Sequence, residues 1–95
     1  MFFDDFLSFE YDERKSQANL QKHGISFEEA KQLWLDPDRL VLRGKFEAEP
    51  RWILIGRLHE LVWTAVFTIR RTRIRLISVR RAREKEKVVY ESERI

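Results

Sequence analysis

RWILIGRLHELVWTAVFTIRRTRIRLISV, residues 51–79, decides the fold. It divides into three β-rich runs, Arg51 to Leu58, Leu61 to Ile69 and Arg73 to Val79, parted only by His59-Glu60 and by Arg70 to Thr72. Links this short join antiparallel neighbours, because a parallel return needs a crossover of a dozen residues or more. The middle run, LVWTAVFTI, is apolar on both of its faces and belongs at the centre of the sheet.

Upstream, Phe9 to Asp12 reads as a short strand. Asp12 can cap a helix running to about His23, and Gly24 suits the left-handed residue that ends it. Ser26 and Glu29 match the capping box, S-x-x-E, and open a second helix with Phe27, Ala30, Leu33 and Trp34 on one face. Asp36-Pro37 stops that helix, since the residue before proline is pushed out of the helical region. Residues 37 to 50 are expected to form a polar loop with Gly44 and Pro50. Downstream, Arg81 to about Arg94 is expected as a charged helix docked through Ala82, Val89 and the Tyr90 ring. The predicted fold is α+β, ordered β-α-α-β-β-β-α, an antiparallel sheet packed by helices. Residues 1–95 make a single domain. Residues 1–8, with Phe2, Phe3, Phe6 and Leu7, fit an extra strand, a short helix or a docking tail.

Charge is divided unevenly along the chain. Residues 1 to 50 carry seven Lys/Arg and eleven Asp/Glu, a net −4; residues 51 to 95 carry twelve and five, a net +7. The basic half suits a polyanion. Its centre is Arg70–Arg83, where seven of fourteen residues are Arg (70, 71, 73, 75, 80, 81 and 83) and none is Lys. Arg is favoured over Lys where phosphate is gripped in a fixed geometry, because its planar fork bonds two oxygens at once. RNA or DNA phosphate is therefore the expected partner. The same cluster also serves as a plain solvated face.

The chain has no Cys, which excludes a disulfide, a Cys-based zinc site and a thiol nucleophile. A reducing cytoplasm is the natural setting. The acidic N-terminus lacks the basic start of a signal peptide, and no run approaches the roughly 20 apolar residues of a membrane helix. His23 and His59 lie far apart with no H-E-x-x-H, and there is no phosphate-binding Gly loop and no G-x-S-x-G. Neither metal nor cofactor is expected.

Several side chains suit phosphate chemistry. Arg73 and Arg75 share one face of the last strand, with Ile74 and Leu76 opposite, and could line an RNA groove. Arg80 and Arg81 fall where strand passes into helix, with Arg81 near the positive end of the helix dipole. Glu86 and Tyr90 lie four apart on one helical face and could move protons beside an Arg. The same positions equally suit a solvated Glu86 and a half-buried core ring for Tyr90. Lys22-His23 ends the first helix, where His23 is either a proton-handling group near neutrality or a cap that complements the dipole. If RNA is cleaved, the expected route is metal-free: the 2′-OH attacks the adjacent phosphorus, an Arg stabilises the added charge, and a proton donor helps the 5′ oxygen leave. That route works on RNA only.

Phe9-Glu10-Tyr11-Asp12, Lys15, Asn19, Lys22-His23-Gly24 and Phe27 resemble the pattern F-E-W-D-x-x-K-x-x-x-N-x-x-K-H-G-x-x-F. Ile74 to Ala82 resembles I-R-I-I-S-A-R-R-A, and Glu86 to Tyr90 resembles E-R-x-x-Y. Together these resemble the BrnT family of type II toxins. The resemblance implies a fold similar to RelE-type toxins and a ribonuclease that arrests translation. It also implies a BrnA-like antitoxin, which joins the toxin in a heterotetramer of two copies each and supplies the contact with operator DNA. Carried over by position, Lys22, His23, Arg80, Arg81, Glu86 and Tyr90 are the catalytic candidates, and Arg73, Arg75 and Arg83 the RNA-binding ones. Tyr11 stands where Trp is usual. Lys87 stands where Arg is usual, which weakens a bidentate phosphate contact there. The eight leading residues exceed the family's common start. A non-catalytic RNA-binding or co-repressor module is the alternative reading.

Overall fold

The computed structural model describes residues 7–45 and 48–93. The calls on Phe2, Phe3 and Phe6, and on the end of the last helix at Arg94, lie outside them. The elements are β1 (Phe9–Glu10), α1 (Glu13–His23), α2 (Phe27–Ala30), a 3-10 helix (Lys31–Leu35), β2 (Leu40–Arg43), β3 (Trp52–Leu58), β4 (Leu61–Arg70), β5 (Arg73–Arg81) and α3 (Glu84–Glu93). The five strands form one sheet in the order β1-β5-β4-β3-β2, with β4 at its centre as its apolar run requires. The fold is α+β. β1 lies parallel to β5 and the other pairs are antiparallel, so the sheet is mixed where an antiparallel one was expected.

Three further boundaries differ from the sequence reading. The expected loop over residues 37–50 contains β2, whose Leu40, Val41, Leu42 and Arg43 pair with Ile55, Leu54, Ile53 and Trp52. Four residues between Pro37 and Gly44 are too few to show a period; partners on β3 make the strand. β5 runs on through Arg81, because Arg81 pairs with Trp63 and the Ala82 amide donates to the Val62 carbonyl at 2.9 Å. Arg81 is thus a strand residue, and α3 starts only at Glu84. The second half of the predicted second helix is wound as a 3-10 helix. Its four named apolar residues are nonetheless all buried.

Local chemistry fixes the helices. Asp12 accepts from the amides of Arg14 and Lys15, and Gly24, at φ 81°, ends α1 with its amide on the Leu20 carbonyl. Ser26 and Glu29 make a complete capping box. Asn19 joins three segments: its amide nitrogen donates to the carbonyls of Ile25 and Val79, both at 2.9 Å, and its oxygen accepts from the Val79 amide at 3.1 Å. It therefore stands in for a neighbouring strand along the free edge of β5 beyond β1.

The two sheet faces are covered differently. One carries Leu54, Trp63, Ala65, Phe67, Ile74, Leu76 and Val79 against Ile25, Phe27, Ala30, Leu33 and Trp34 from the α2 layer. Edge-to-face ring pairs, Phe9 with Trp34 at 5.1 Å and Trp34 with Phe67 at 5.2 Å, lock it. Among the described residues the other face is covered only in part: α3 lays Tyr90 on Ile55, Val62, Ala82 and Leu40, and Thr68 is buried with its hydroxyl donating to the Pro50 carbonyl at 2.7 Å. Ala82 and Tyr90 dock as expected, but Val89 does not: it is 40% exposed, with Val88 more so.

Candidate functional site

A β-bulge decides which arginines share a surface. Phe67 pairs with Leu76, but the next β4 residue, Val66, pairs with Ser78, so Ile77 is the extra residue on β5. Strict alternation would set Arg80 on the face of Ile74 and Leu76. The bulge turns the strand over, keeping Val79 in the helix-covered core and swinging Arg80 to the open face with Arg73, Arg75 and Ser78. Sequence reading paired Arg80 with Arg81. In the strand they point to opposite faces, and the Arg81 guanidinium lies 5.7 Å from the Trp63 ring on the core side.

Arg80 is held from one side. Its Nη1 and Nη2 donate to the two carboxylate oxygens of Glu86 at 2.8 and 2.9 Å, and Nη1 also donates to the Arg81 carbonyl at 3.3 Å. Glu86 also accepts from the Thr64 hydroxyl at 2.9 Å and from the Arg83 amide at 2.7 Å. Arg80, then these two other donors, hold the Glu86 carboxyl down at about 2 against the opposing effect of burial. Among the described residues nothing accepts from the Nε hydrogen or the second Nη2 hydrogen of Arg80. They form the side-on edge of the fork, the geometry that grips two phosphate oxygens.

α3 is pinned where Glu86 can do this. Four residues on, Tyr90 is 1% exposed and donates its hydroxyl to Asp36 Oδ2 at 2.6 Å. The same oxygen accepts from the Arg57 amide at 2.7 Å, and Oδ1 from the Asp38 amide at 2.8 Å. Gly56 allows this approach: a Cβ there would lie 3.3 Å from the Leu33 carbonyl and 3.5 Å from Asp36 Oδ2. Burial and then Asp36 push the Tyr90 phenol up to about 12. Burial alone would raise Asp36, but the Tyr90, Arg57 and Asp38 donors together hold it below its ordinary range. Arg57 adds a 2.9 Å ion pair to Glu91.

The other expected residues are dispersed. Arg75 sits on the open face but is paired with Glu10 at 3.1 Å, and Arg73 reaches the same carboxylate at 4.0 Å. Glu10 and Arg75 are register partners, so the pairing is built into the sheet. Arg83 is exposed, and its amide serves Glu86. Lys22 and His23 end α1; neither bonds to Arg80 or Glu86 among the described residues. His23 is half-buried, one turn beyond Asn19 and on its side of the helix, where α1 meets the edge of β5 at Val79.

Sequence reading missed Arg51. It precedes β3, and its carbonyl extends the ladder by accepting from the Gly44 amide at 2.9 Å. Alternation from Trp52, which packs on the core side, turns Arg51 to the open face, level with Thr68 and Arg75. Its Nε is buried and without a partner among the described residues. Only its position at a strand start, set apart from the Arg cluster, could have signalled it. Among the described residues no group of three or more His, Asp or Glu is placed to hold a metal ion, and no helix is long and apolar enough to cross a membrane.

The sequence model of the ribonuclease toxin BrnT, of type II toxin–antitoxin systems, matches residues 11–86. The chain belongs to the BrnT family. A search of curated proteins found no significant match. Membership makes this a type II toxin of the ribonuclease class and implies an antitoxin partner. The matched span holds every element from α1 to β5, with Asn19, Arg80 and Glu86; Tyr90 lies beyond it.

Proposed function

We propose that this toxin is an endoribonuclease that needs no metal ion, and that Arg80 holds the scissile phosphate. The observation that carries this reading is the side-on edge of Arg80, on a fork oriented by Glu86, without a partner among the described residues and on the sheet face that α3 covers only in part. The 2′-OH attacks the adjacent phosphorus, the bond to the 5′ oxygen breaks, and a 2′,3′-cyclic phosphate and a free 5′-OH result. Arg80 stabilises the extra negative charge of the transition state. One proton leaves the 2′-OH and one reaches the 5′ oxygen. We assign this transfer to His23, with Lys22 beside it, because Asn19, one turn earlier on α1, bonds to the backbone of Val79, the residue before Arg80. In this reading Glu86 is an orienting carboxylate rather than the base, being ionised down to about pH 2. Tyr90 is likewise a holding residue, since a buried phenol near 12 that already donates to Asp36 is a poor acid at neutrality. Arg81, Arg83, Arg73 and Arg75 contribute field rather than the primary grip.

By the same reading the toxin arrests translation in the cytoplasm. A BrnA-like antitoxin neutralises it in a heterotetramer of two copies each and carries the operator contact. The test is cleavage of a defined RNA in EDTA by the antitoxin-free protein and by Arg80→Ala. Loss of one charge-stabilising donor lowers the rate about 100- to 1000-fold. Equal rates would overturn the role of Arg80. One observation favours a second reading, a non-catalytic RNA binder or co-repressor: Glu86, the only titratable group bonded to Arg80 among the described residues, ionises far from neutrality. RNA binding with a steep salt dependence and no cleavage, even on translating ribosomes, would select it.

A further inference from the structure

We infer that Arg51 is a second RNA-gripping residue, so that a single RNA strand crosses the open face diagonally from Arg80 on β5 to Arg51 beside β3. This rests on the reading of Arg80 as the phosphate site. It departs from the expectation that the strand follows Arg73 and Arg75 along β5.

Charge compensation separates the two routes. Up β5, Arg75 and Arg73 share Glu10, and Arg70 at the hairpin is held by Glu49 at 3.1 Å. Three arginines there face two carboxylates. Across the sheet, Arg51 has a buried Nε with no partner among the described residues, and Arg80 keeps one free edge. An orphaned donor on a half-buried arginine is costly unless something fills it. The Nε is buried where it stands, so RNA is met by the side chain turning outward, and a phosphate oxygen then supplies the partner the folded chain does not.

The floor between the two residues suits a base. The register sets Ile53 opposite Val66, and Val66 opposite Ser78, with the bulged Ile77 alongside. Ile53, Val66 and Ile77 are half-buried in a part of the sheet that the α3 cluster leaves out. An apolar platform flanked by guanidinium groups accepts the face of an unstacked base, which a single strand offers and a duplex does not. Arg51 lies four residues along the strands and two strands across from Arg80. That is roughly 13 Å by roughly 10 Å, or ~16 Å between backbones, a span of more than one nucleotide.

The experiment compares wild type, Arg51→Ala and Arg51→Lys on an RNA of about ten nucleotides and on a dinucleotide too short to reach Arg51. On the longer RNA, Arg51→Ala should weaken affinity about 10- to 100-fold. It should also lower the slope of log affinity against log salt by about 0.7, the share of one phosphate on a single strand. Arg51→Lys should keep the slope while losing part of the affinity. On the dinucleotide all three should cleave at the same rate. Equal binding of the longer RNA by wild type and Arg51→Ala overturns the inference, and so does a loss that also appears on the dinucleotide. A variant that treats RNA normally but no longer holds the antitoxin overturns it in favour of a protein contact. Failure of wild type to bind RNA at all removes the underlying reading instead. Thermal unfolding of each variant identifies a loss that comes from misfolding.

Discussion

Behind the sheet, Phe27, Leu33, Leu54, Ala65 and Val79 are buried among apolar neighbours, and the polar groups that enter, Ser16 and Asn19, spend their hydrogen bonds on the backbone. In front, α3 is attached by Tyr90 on Asp36, Arg57 on Glu91, and Glu86 on Arg80 and Thr64, while Val88 and Val89 face outward. Apolar contact is non-directional and proportional to area, so the back face can supply stability without fixing any one atom. Charge-assisted hydrogen bonds are directional and add less net stability, but they fix where a guanidinium points. The difference separates what folds this chain from what acts.

The sharpest way to break that contrast is to injure each face and read both stability and cleavage. Arg80→Ala should lose about 100- to 1000-fold in rate. Phe27→Ala, at a position 1% exposed, should cost about 3–5 kcal/mol of stability. That approaches the net stability of a small domain, so the milder Phe27→Leu serves for kinetics. Its folded fraction should cleave RNA at close to the parental rate. If Phe27→Leu lost activity as steeply as Arg80→Ala, the two faces would not be separable.

Tyr90→Phe tests the middle ground. It removes one hydrogen bond to an ionised carboxylate and should lower stability by about 1.5–3 kcal/mol. Cleavage should fall less than tenfold, because α3 still docks through its ring and Glu86 still reaches Arg80. A general acid would be missed by about 100- to 10,000-fold, so a loss of that size would restore Tyr90 to the proton-transfer machinery.

A pH series sharpens the front face further. The Glu86 carboxyl is depressed in the folded chain, so its contribution is fully present above the ordinary Glu value, near 4.3. It is lost as pH falls through that value toward about 2. Asp36, also depressed, acts in the same direction. Denaturant midpoints should therefore fall between about pH 5 and about pH 3, and fall less in Glu86→Gln. Equal falls in the two proteins would remove Glu86 as a source of acid sensitivity.

How far the sequence foretold this follows the same divide. The three long strands, the Asp12 and Ser26 caps, the Gly24 stop and the burial of Phe27, Ala30, Leu33 and Trp34 were legible because each depends on residues close in sequence. β2 was not, since its pairing with β3 is the whole reason it is a strand. The open-face arrangement was half legible: the Arg-rich run and Glu86 stood out, but the bulge at Ile77, which puts Arg80 rather than Arg81 on the open face, depends on what β4 presents across the sheet. Asn19 looked like a family letter, and its contacts with Ile25 and Val79 span 6 and 60 residues. Arg51 carried no local signal beyond its charge and its place at a strand start.

The smallest effect is expected at the β3–β4 turn. His59 and Glu60 have φ values of 53° and 67°, the arrangement of a type I′ turn, which Asn-Gly adopts with far less strain. The two-residue link forces this conformation, because the right-handed twist of the flanking strands accepts only such turns. The sequence thus holds two unsuited residues at a tip away from Arg80. His59→Asn with Glu60→Gly should raise stability by about 0.5–1 kcal/mol, seen as a rise of a few degrees in Tm, with RNA cleavage unchanged. A gain in stability with a loss of neutralisation by the antitoxin would show that His59 and Glu60 are retained for a partner's surface. Loss of both would mean that the turn's side chains support the hairpin in ways that backbone strain does not capture.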